Sequence, residues 1–374
     1  MCNKKITTLI NISFFLIFFT LYNTTVIASP YVKNVAGTGI HGHSYYQFNL
    51  PSGIFYNNGN IYVADTFNNL IRKVDLSSIS NENVRATMVA GSVPPTIGFS
   101  DGINSYATFN RPYSIIYRGG RFYISDSENN AIRIIYDNIV TTLNATFIYD
   151  SLNYYSNFNS FNHPTAMVKS SLGYIFVADT LNHVIRVITP QNNVITIAGT
   201  VGVYGYNNGT SYNAKFNNPM GLALNEQTQR LYVADTLNNL IRAINLNENI
   251  VETVAGQLVL PNQMQWYTYE EDEWDNVPIG DFYDGYANEA MFNNPMGLAF
   301  LGNYLLVADS SNHRIRLVNS NGYTSTLVGT GEAGHVNGTY EVAQFHFPQY
   351  ITVYNNVIFI SDSGNNMIRK VLIQ

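Results

Sequence analysis

An eight-residue motif recurs six times in this 374-residue chain and limits its fold more than any other feature. Each copy reads Asp, Thr or Ser, any residue, Asn, Asn or His, any residue, Ile, Arg. Successive copies lie 53 to 61 residues apart, except for one interval of 74 residues. Self-similarity at a period of about 50 residues indicates a propeller, a solenoid or an array. The motif Asp and Arg residues are Asp65 and Arg72, Asp126 and Arg133, Asp179 and Arg186, Asp235 and Arg242, Asp309 and Arg316, and Asp362 and Arg369.

A second marker, Phe-Asn-x-Pro, precedes every copy of the motif, with Phe-His-Phe-Pro as its sixth version. Its Pro lies 14 to 16 residues before the motif Asp. The surrounding segments alternate apolar and polar residues and are bounded by Gly and Asn, which is typical of strands and hairpins. The pattern therefore predicts four short strands in each unit. Six such units predict an all-β, six-bladed β-propeller of antiparallel blades.

These two markers resemble those of the NHL family of β-propellers, over nearly all of the chain after residue 30. The family includes RNA-binding domains, extracellular interaction modules, sensor domains and a metal-dependent peptide-amidating lyase. The resemblance therefore implies the fold and leaves the activity open.

The repeated Asp and Arg have a structural interpretation. An Asp at a strand end can accept hydrogen bonds from backbone N–H groups of the following turn, and the Asn residues tolerate left-handed conformations. The planar Arg can bond a carboxylate or backbone carbonyls across the hairpin. Because a catalytic dyad does not usually occur in six equal copies, the sequence favours a structural role.

The two ends of the repeat array are complementary. Residues 31–37 resemble the fourth strand of a unit, whereas the last unit stops after its third strand. We predict that the N-terminal strand closes the ring and so removes exposed sheet edges. Although the length would allow two domains, the even repeats predict a single propeller over residues 29–374.

The N-terminus has the layout of a secretory signal peptide. Lys4 and Lys5 precede an apolar run over residues 12–21 and a small-residue site that ends at Ala28. We expect a signal over residues 1–28, a secreted protein, and no membrane span after cleavage; an uncleaved membrane anchor is the alternative. Cleavage would remove the only cysteine, Cys2, so the propeller must rest on its core rather than on disulfides.

The charge balance argues against nucleic acid as a partner. The formal net charge is −6, and loss of Lys4 and Lys5 would bring it to −8. Half of the Arg residues belong to the repeated motif. Phosphate binding depends on clustered Lys and Arg, and the predicted mature chain is acidic.

Strand direction sorts the loops between two faces. The loop that leads into each unit, which we call its leading loop, should lie with the motif turns on one face, the top face. Short turns between the first and second strands should form the bottom face. The long, variable loops are all leading loops, and binding residues concentrate on such loops. We therefore expect a protein or another extracellular ligand to bind the top face of a monomer.

The leading loop over residues 257–291 differs from the others because it contains both tryptophans and a run of acids. One interpretation is a solvated flap over the propeller, and the other is a recognition loop with aromatic anchors. Calcium is a further alternative, although the run lacks the spacing of an EF-hand. The candidate binding residues are Trp266, Glu270, Glu271, Asp272, Glu273, Trp274 and Asp275.

Three glycosylation sequons fall in leading loops, at Asn144, Asn208 and Asn337. They are candidate glycan sites if the chain is secreted.

Histidines are the residues that an enzyme hypothesis must use. The peptide-amidating lyase of the NHL family holds its metal with channel histidines, which makes a metal-dependent lyase or hydrolase the alternative function. Zinc needs three or four converging ligands, and no spacing here enforces convergence. The second Asn position of the motif holds His183 and His313, which we interpret as turn residues. The candidate ligands are His163 and His346 near the channel mouth, and His41, His43 and His335 in leading loops. We predict no resident cofactor.

Overall fold

The computed structural model describes residues 30–78, 84–148, 160–259 and 280–373. It confirms the all-β, six-bladed propeller: each repeat forms one sheet, in which the four main strands pair antiparallel. The innermost strands pack side by side around the axis, including the first against the last. Within these ranges, none of the helical turns has the length and hydrophobicity of a membrane-spanning helix.

Each blade contains four main strands, in order from the axis outward. Blade 1 has β2 (Ile54–Asn57), β3 (Asn60–Asp65), β4 (Leu70–Asp75) and β5 (Ala86–Ala90); blade 2 has β7 (Pro112–Arg118), β8 (Arg121–Asp126), β9 (Ala131–Tyr136) and β10 (Ile139–Thr142); blade 3 has β12 (Pro164–Lys169), β13 (Ile175–Asp179), β14 (Val184–Ile188) and β15 (Asn193–Ala198). Blade 4 has β17 (Pro219–Asn225), β18 (Arg230–Asp235), β19 (Leu240–Asn245) and β20 (Ile250–Ala255); blade 5 has β21 (Pro295–Leu301), β22 (Tyr304–Asp309), β23 (Arg314–Val318) and β24 (Thr324–Val328); blade 6 has β26 (Pro348–Tyr354), β27 (Val357–Asp362), β28 (Met367–Leu372) and β1 (Tyr31–Ala36).

Short 3₁₀ turns connect the second and third strands and carry the motif. They span Thr66–Asn68, Ser127–Asn129, Thr180–Asn182, Thr236–Asn238, Ser310–Asn312 and Ser363–Asn365, and a further turn spans Leu76–Ser78. Every one of the six motif turns ends at an Asn or His in the left-handed conformation, such as Asn239 with φ 56°. Asn adopts this conformation more readily than other non-Gly residues, which explains the residue type at this position.

The ring closes through the N-terminal strand, as predicted. β1 pairs antiparallel with β28, and Val32 lies opposite Val371. Val32 and Val371 are both fully buried in the core beneath blade 6. The closure therefore completes a blade and also buries the apolar face of β1.

The leading loops add a fifth segment that the sequence did not reveal. In blade 2, β6 (Gly102–Ile103) pairs with the outer strand β10. Blades 4 and 6 repeat this arrangement, and blade 3 has a parallel version. Two-residue strands are too short for period-two alternation to mark them. The corresponding segments are β16 (Gly209–Thr210), β25 (Gly338–Thr339) and β11 (Thr146–Phe147).

The Phe of the second marker packs beneath the motif Arg. In blade 4, Phe216 is fully buried and its ring centre lies 5.4 Å from the guanidinium carbon of Arg242. The same contact occurs between Phe109 and Arg133 at 5.1 Å. Cation–π contact of this kind strengthens when it is desolvated. The two sequence markers therefore meet as one packing unit in these blades.

Candidate functional site

The motif Asp joins the two markers within each blade. In blade 4 one oxygen of Asp235 accepts the backbone N–H of Asn217 at 2.7 Å. The other oxygen accepts Nδ2 of Asn238 at 2.8 Å and Nη1 of Arg242 at 2.7 Å. The sequence predicted donors in the following turn, and this detail is wrong: the backbone donor belongs to the Phe-Asn-x-Pro segment. The chain passes the carboxylate there at close range because the leading loop returns over the motif turn.

The Asp and Arg lie fully inside the protein. Asp235 and Arg242 are both 0% exposed. Burial raises the pKa of Asp235 to about 6, and the charge of Arg242 opposes that rise. The arginine also donates to the carbonyls of Lys215 and Asn207 in its leading loop. Blade 3 differs, since Arg186 reaches Asp179 through Nε.

Motif turns also connect neighbouring blades. The hydroxyl of Thr236 donates to the carbonyl of Pro295 at 2.8 Å, and Oδ1 of Asn239 accepts the backbone N–H of Asn294 at 2.8 Å. Thr or Ser makes the first of these bonds at every blade interface, and Asn or His makes the second. These contacts explain two motif positions for which the sequence suggested only turn chemistry.

His183 and His313 make this inter-blade bond through a ring nitrogen. Nδ1 of His183 accepts the N–H of Asn218, and Nδ1 of His313 accepts the N–H of Phe347, each at 3.2 Å. Burial lowers the pKa of both imidazoles. Each imidazole is therefore neutral and carries its proton on Nε2, and both histidines are turn residues.

Two of the variable positions in these markers lie on the top face, and together we call them the top-face ring. One is the third residue of the motif, and the other is the residue before Pro in the second marker. The third motif residue donates its backbone N–H to the residue after Phe, for example Leu237 to Asn217 at 3.1 Å. The ring consists of Leu50, Phe67, Arg111, Glu128, His163, Leu181, Asn218, Leu237, Asn294, Ser311, Phe347 and Gly364.

Three members of the ring are large, apolar and exposed: Phe67 at 44%, Leu181 at 44% and Phe347 at 43%. Three other members of the ring, from blades 2 and 3, form a polar cluster next to Phe67 of blade 1. Arg111 pairs with Glu128 at 3.1 Å and lies 4.6 Å from the ring centre of Phe67. Nδ1 of His163 lies 3.9 Å from the same Glu128 carboxylate. Burial is the main cause that lowers the pKa of His163.

The candidate metal ligands do not converge. His163 belongs to blade 3 and His346 to blade 6, on opposite sides of the ring. His41, His43 and His335 are exposed in leading loops. His346 contacts His313, with ring centres 5.5 Å apart. Within the ranges that the structure covers, no three His, Cys, Asp or Glu side chains are grouped to hold a metal ion.

The sequon asparagines occupy two kinds of position. Asn144 is exposed. By contrast, Oδ1 of Asn208 accepts Nη2 of Arg242 at 2.6 Å, and Oδ1 of Asn337 accepts Nη2 of Arg369 at 2.9 Å. Two sequons thus contribute to the buried arginine sites.

Blades 2 and 5 have an acid at this same position. Asp101 pairs with Arg133 at 2.7 Å, and Asp284 pairs with Arg316 at 2.6 Å. Sequence reasoning missed these two acids. The signal that could have found them is Asp-Gly or Asn-Gly placed 25 to 27 residues before the motif Asp in four units.

The leading loop over residues 257–291, which we call the acidic loop, can be placed only at its two ends. Trp266, Trp274 and residues 270–275 lie outside the described residues, as does the predicted signal over residues 1–28. The described ends of the loop join the top of blade 5, where the backbone N–H of Gln257 donates to the carbonyl of Ala290 at 2.7 Å.

Comparison with curated proteins finds NHL-repeat relatives. The chain is 25% identical to human NHL repeat-containing protein 2 over 86% of its length, and it covers 39% of that protein. It is also 25% identical to the Arabidopsis thaliana protein SUPPRESSOR OF QUENCHING 1, chloroplastic, over 73% of its length, covering 26% of that protein. The chain therefore spans about two fifths or less of the length of these relatives.

Solved structures share the fold at low identity. An auxiliary nutrient binding protein from Bacteroides thetaiotaomicron superposes with a TM-score of 0.64 at 14% identity, over 91% of this chain and 76% of that chain. The virginiamycin B lyase from Staphylococcus aureus with quinupristin gives 0.51 at 13% identity, over 92% of this chain and 100% of that chain. Sequence identities this low support a shared fold alone.

The family assignment rests on a sequence match that covers both the motif and its spacing. The model of the Teneurin NHL domain matches residues 150–339, just over half of the chain. This stretch contains three of the six motif copies, at Asp179, Asp235 and Asp309. The chain therefore belongs to the Teneurin NHL domain family of NHL-repeat propellers.

Proposed function

We propose that this protein is an exported binding module whose top face docks a protein partner. The observation that carries the proposal is the top-face ring. A hydrogen-bond network that repeats in every blade holds the backbone at each ring position, while the side chains differ from blade to blade. A rigid scaffold with variable exposed side chains suits recognition, because little conformational entropy is lost on binding.

The chemistry of the ring suits a protein surface. Phe67, Leu181 and Phe347 are exposed apolar side chains on fixed turns. Aromatic side chains such as these two phenylalanines are enriched at interfaces, and Leu181 adds apolar contact area beside them. The surrounding charges affect the association rate more than the affinity. The Arg111–Glu128 pair supplies such a charged rim.

The acidic loop would extend this interface. Its ends leave the top face at blade 5, and the loop contains Trp266 and Trp274 with five acids from Glu270 to Asp275. A partner that also contacts this loop should carry a basic patch. Binding to it should weaken as the salt concentration rises, since the attraction would be screened.

A matched pair of triple variants tests the docking face. In one, the exposed ring residues Phe67, Leu181 and Phe347 are replaced by Ser; in the other, the exposed bottom-face residues Leu172, Tyr174 and Tyr354 are replaced by Ser. Partners captured by the unchanged chain from cell-surface and secreted fractions are quantified by mass spectrometry and validated with purified protein. The top-face variant should lose the validated partner and the bottom-face variant should keep it. The reverse pattern would exclude the top face.

Export rests on the sequence of residues 1–28. When the full chain is produced in a secreting host, the protein recovered from the medium should begin at Ser29. A cell-bound product that retains Lys4 and Lys5 would favour the uncleaved anchor instead.

The alternative, a metal-dependent lyase or hydrolase, gains no specific support from the described histidines. His163 and His346 lie three blades apart. Likeness to a lyase at 13% identity carries the fold only. Metal analysis of the purified chain would reverse this ranking if it found a stoichiometric bound ion.

A further inference from the structure

The propeller axis contains a cavity of about 230 Å³ whose walls come from the inner strands of all six blades. The wall is largely apolar, with side chains such as Ile54, Met167, Leu222, Leu298 and Ile351. Other lining residues, among them Phe300, Thr352 and Val353, lie near the ends of the inner strands, away from the motif turns. The cavity therefore opens on the bottom face, opposite the proposed docking face.

Two tyrosines close the axis on the side of the top face. Oη of Tyr113 lies 3.8 Å from the sulfur of Met296, and Oη of Tyr350 lies 3.1 Å from Oγ of Ser114. Tyr350 also donates to the carbonyl of Met167 at 3.5 Å. Both tyrosines are buried, and burial raises the pKa of both phenols. Neutral rings therefore separate the cavity from the top face, and the cavity is a blind pocket.

One charged side chain contributes to the pocket wall in the described part of the chain, that of Lys169. Lys169 is exposed at the end of β12, where the bottom face begins. Glu226, at the end of the inner strand of blade 4, accepts a hydrogen bond from the backbone N–H of Ser171. Lys169 itself makes no ion pair with a described carboxylate. An apolar pocket with a cation at its mouth is complementary to a molecule with an apolar tail and an anionic head.

We propose that this pocket binds a small amphipathic carboxylate, with its tail in the cavity and its carboxylate against Lys169. An apolar cavity of about 150 Å³ holds the six carbons of benzene. In proportion, 230 Å³ holds a tail of roughly eight or nine carbons. The ligand class is therefore a medium-chain monocarboxylic acid. This site is independent of the top face, so failure of either proposal leaves the other untouched.

Calorimetric titration of the purified chain with sodium octanoate, below its micelle-forming concentration, tests the proposal. Octanoate should bind, butanoate and octylamine should bind at least tenfold more weakly, and Lys169→Gln should weaken octanoate binding about tenfold. Lys215→Gln, which removes the same charge from the top face, should leave the affinity unchanged. No octanoate binding at millimolar concentration, or equal affinity in the two Lys variants, would overturn the proposal.

Two further readouts locate the ligand. The methyl resonance of Met167 should shift on octanoate binding, because Met167 lines the pocket. Filling the pocket with Ala299→Phe should abolish binding. If that variant fails to fold, Val168→Phe serves the same purpose, since Val168 also lines the wall. A Met167 resonance that stays fixed while octanoate binds would place the ligand elsewhere and overturn the proposal.

Discussion

Nδ1 of His183 accepts a hydrogen bond from the backbone N–H of Asn218 in the next blade, at 3.2 Å. His313 and Phe347 repeat this contact between blades 5 and 6. At the other four interfaces an Asn oxygen is the acceptor, as in the bond from Arg111 to Asn69 at 2.8 Å. Asn and His are thus equivalent as acceptors only while the imidazole is neutral.

Acid should therefore weaken two of the six interfaces. The folded state lowers the pKa of both histidines, so the unfolded chain binds protons more readily. The stabilisation by these two histidine bonds is fully present above the histidine pKa of the unfolded chain, about 6.5. It is lost as the pH falls through that value toward the lower pKa of the histidines in the folded state. Loss of each bond should cost about 1 kcal/mol. Urea unfolding between pH 7.5 and 5 measures the slope.

The control for this prediction is already present in the repeats. The double variant His183→Asn, His313→Asn should fold normally and show a shallower loss of stability with acid. An identical pH slope in the variant and the parent chain would show that other groups control the acid response.

Removal of a motif arginine should destabilise the blade that contains it. Arg242 and Asp235 are fully buried, so Arg242→Ala would strand a carboxylate at a cost of roughly 3–5 kcal/mol. Arg133→Ala and Arg316→Ala should cost similar amounts. Arg230→Ala, which breaks the solvent-accessible pair with Glu252, should cost about 1 kcal/mol or less. Denaturant unfolding compares them, and a small cost at Arg242 would contradict the structural role of the motif.

The sequon asparagines should tolerate Asp better than Ala. Asn208→Asp and Asn337→Asp reproduce the acids that pair with arginine in blades 2 and 5, so stability should change little. Asn208→Ala leaves Nη2 of Arg242 with the carbonyl of Asn207 alone and should cost about 1 kcal/mol. Thermal unfolding of the unglycosylated chain checks this order. Equal destabilisation by Asp and Ala would mean that the side-chain oxygen contributes nothing.

Ring closure should depend on the buried face of β1. Deleting residues 31–37 removes the outer strand of blade 6 and the buried side chains of Val32 and Val35, which we expect to cost at least about 4 kcal/mol. Within the strand, Val32→Ser should destabilise strongly and Lys33→Ser, on the exposed side, should not. An unchanged melting temperature after the deletion would contradict the closure.

Much of the architecture could be predicted because it depends on local repetition. The motif and the Phe-Asn-x-Pro marker recur in phase, so the blade number, the strand order and the closing strand followed from spacing and alternation. The interpretation of His183 and His313 as turn residues also needed only their position in the motif. Local conformational preference depends on residues that are adjacent in the chain, so a sequence pattern can reveal it.

The contacts of each motif residue and the sites on the propeller depend on packing in three dimensions. The hydroxyl of Thr236 meets a proline 59 residues away, and Asn208 meets Arg242 across a leading loop. The tyrosines that close the axis come from blades 2 and 6, and Lys169 reaches the pocket from blade 3. Residues far apart in the chain leave no periodic signal of their meeting, so no sequence pattern could predict these contacts. The repeated blade is therefore encoded locally in the chain, whereas its sites arise from packing between blades.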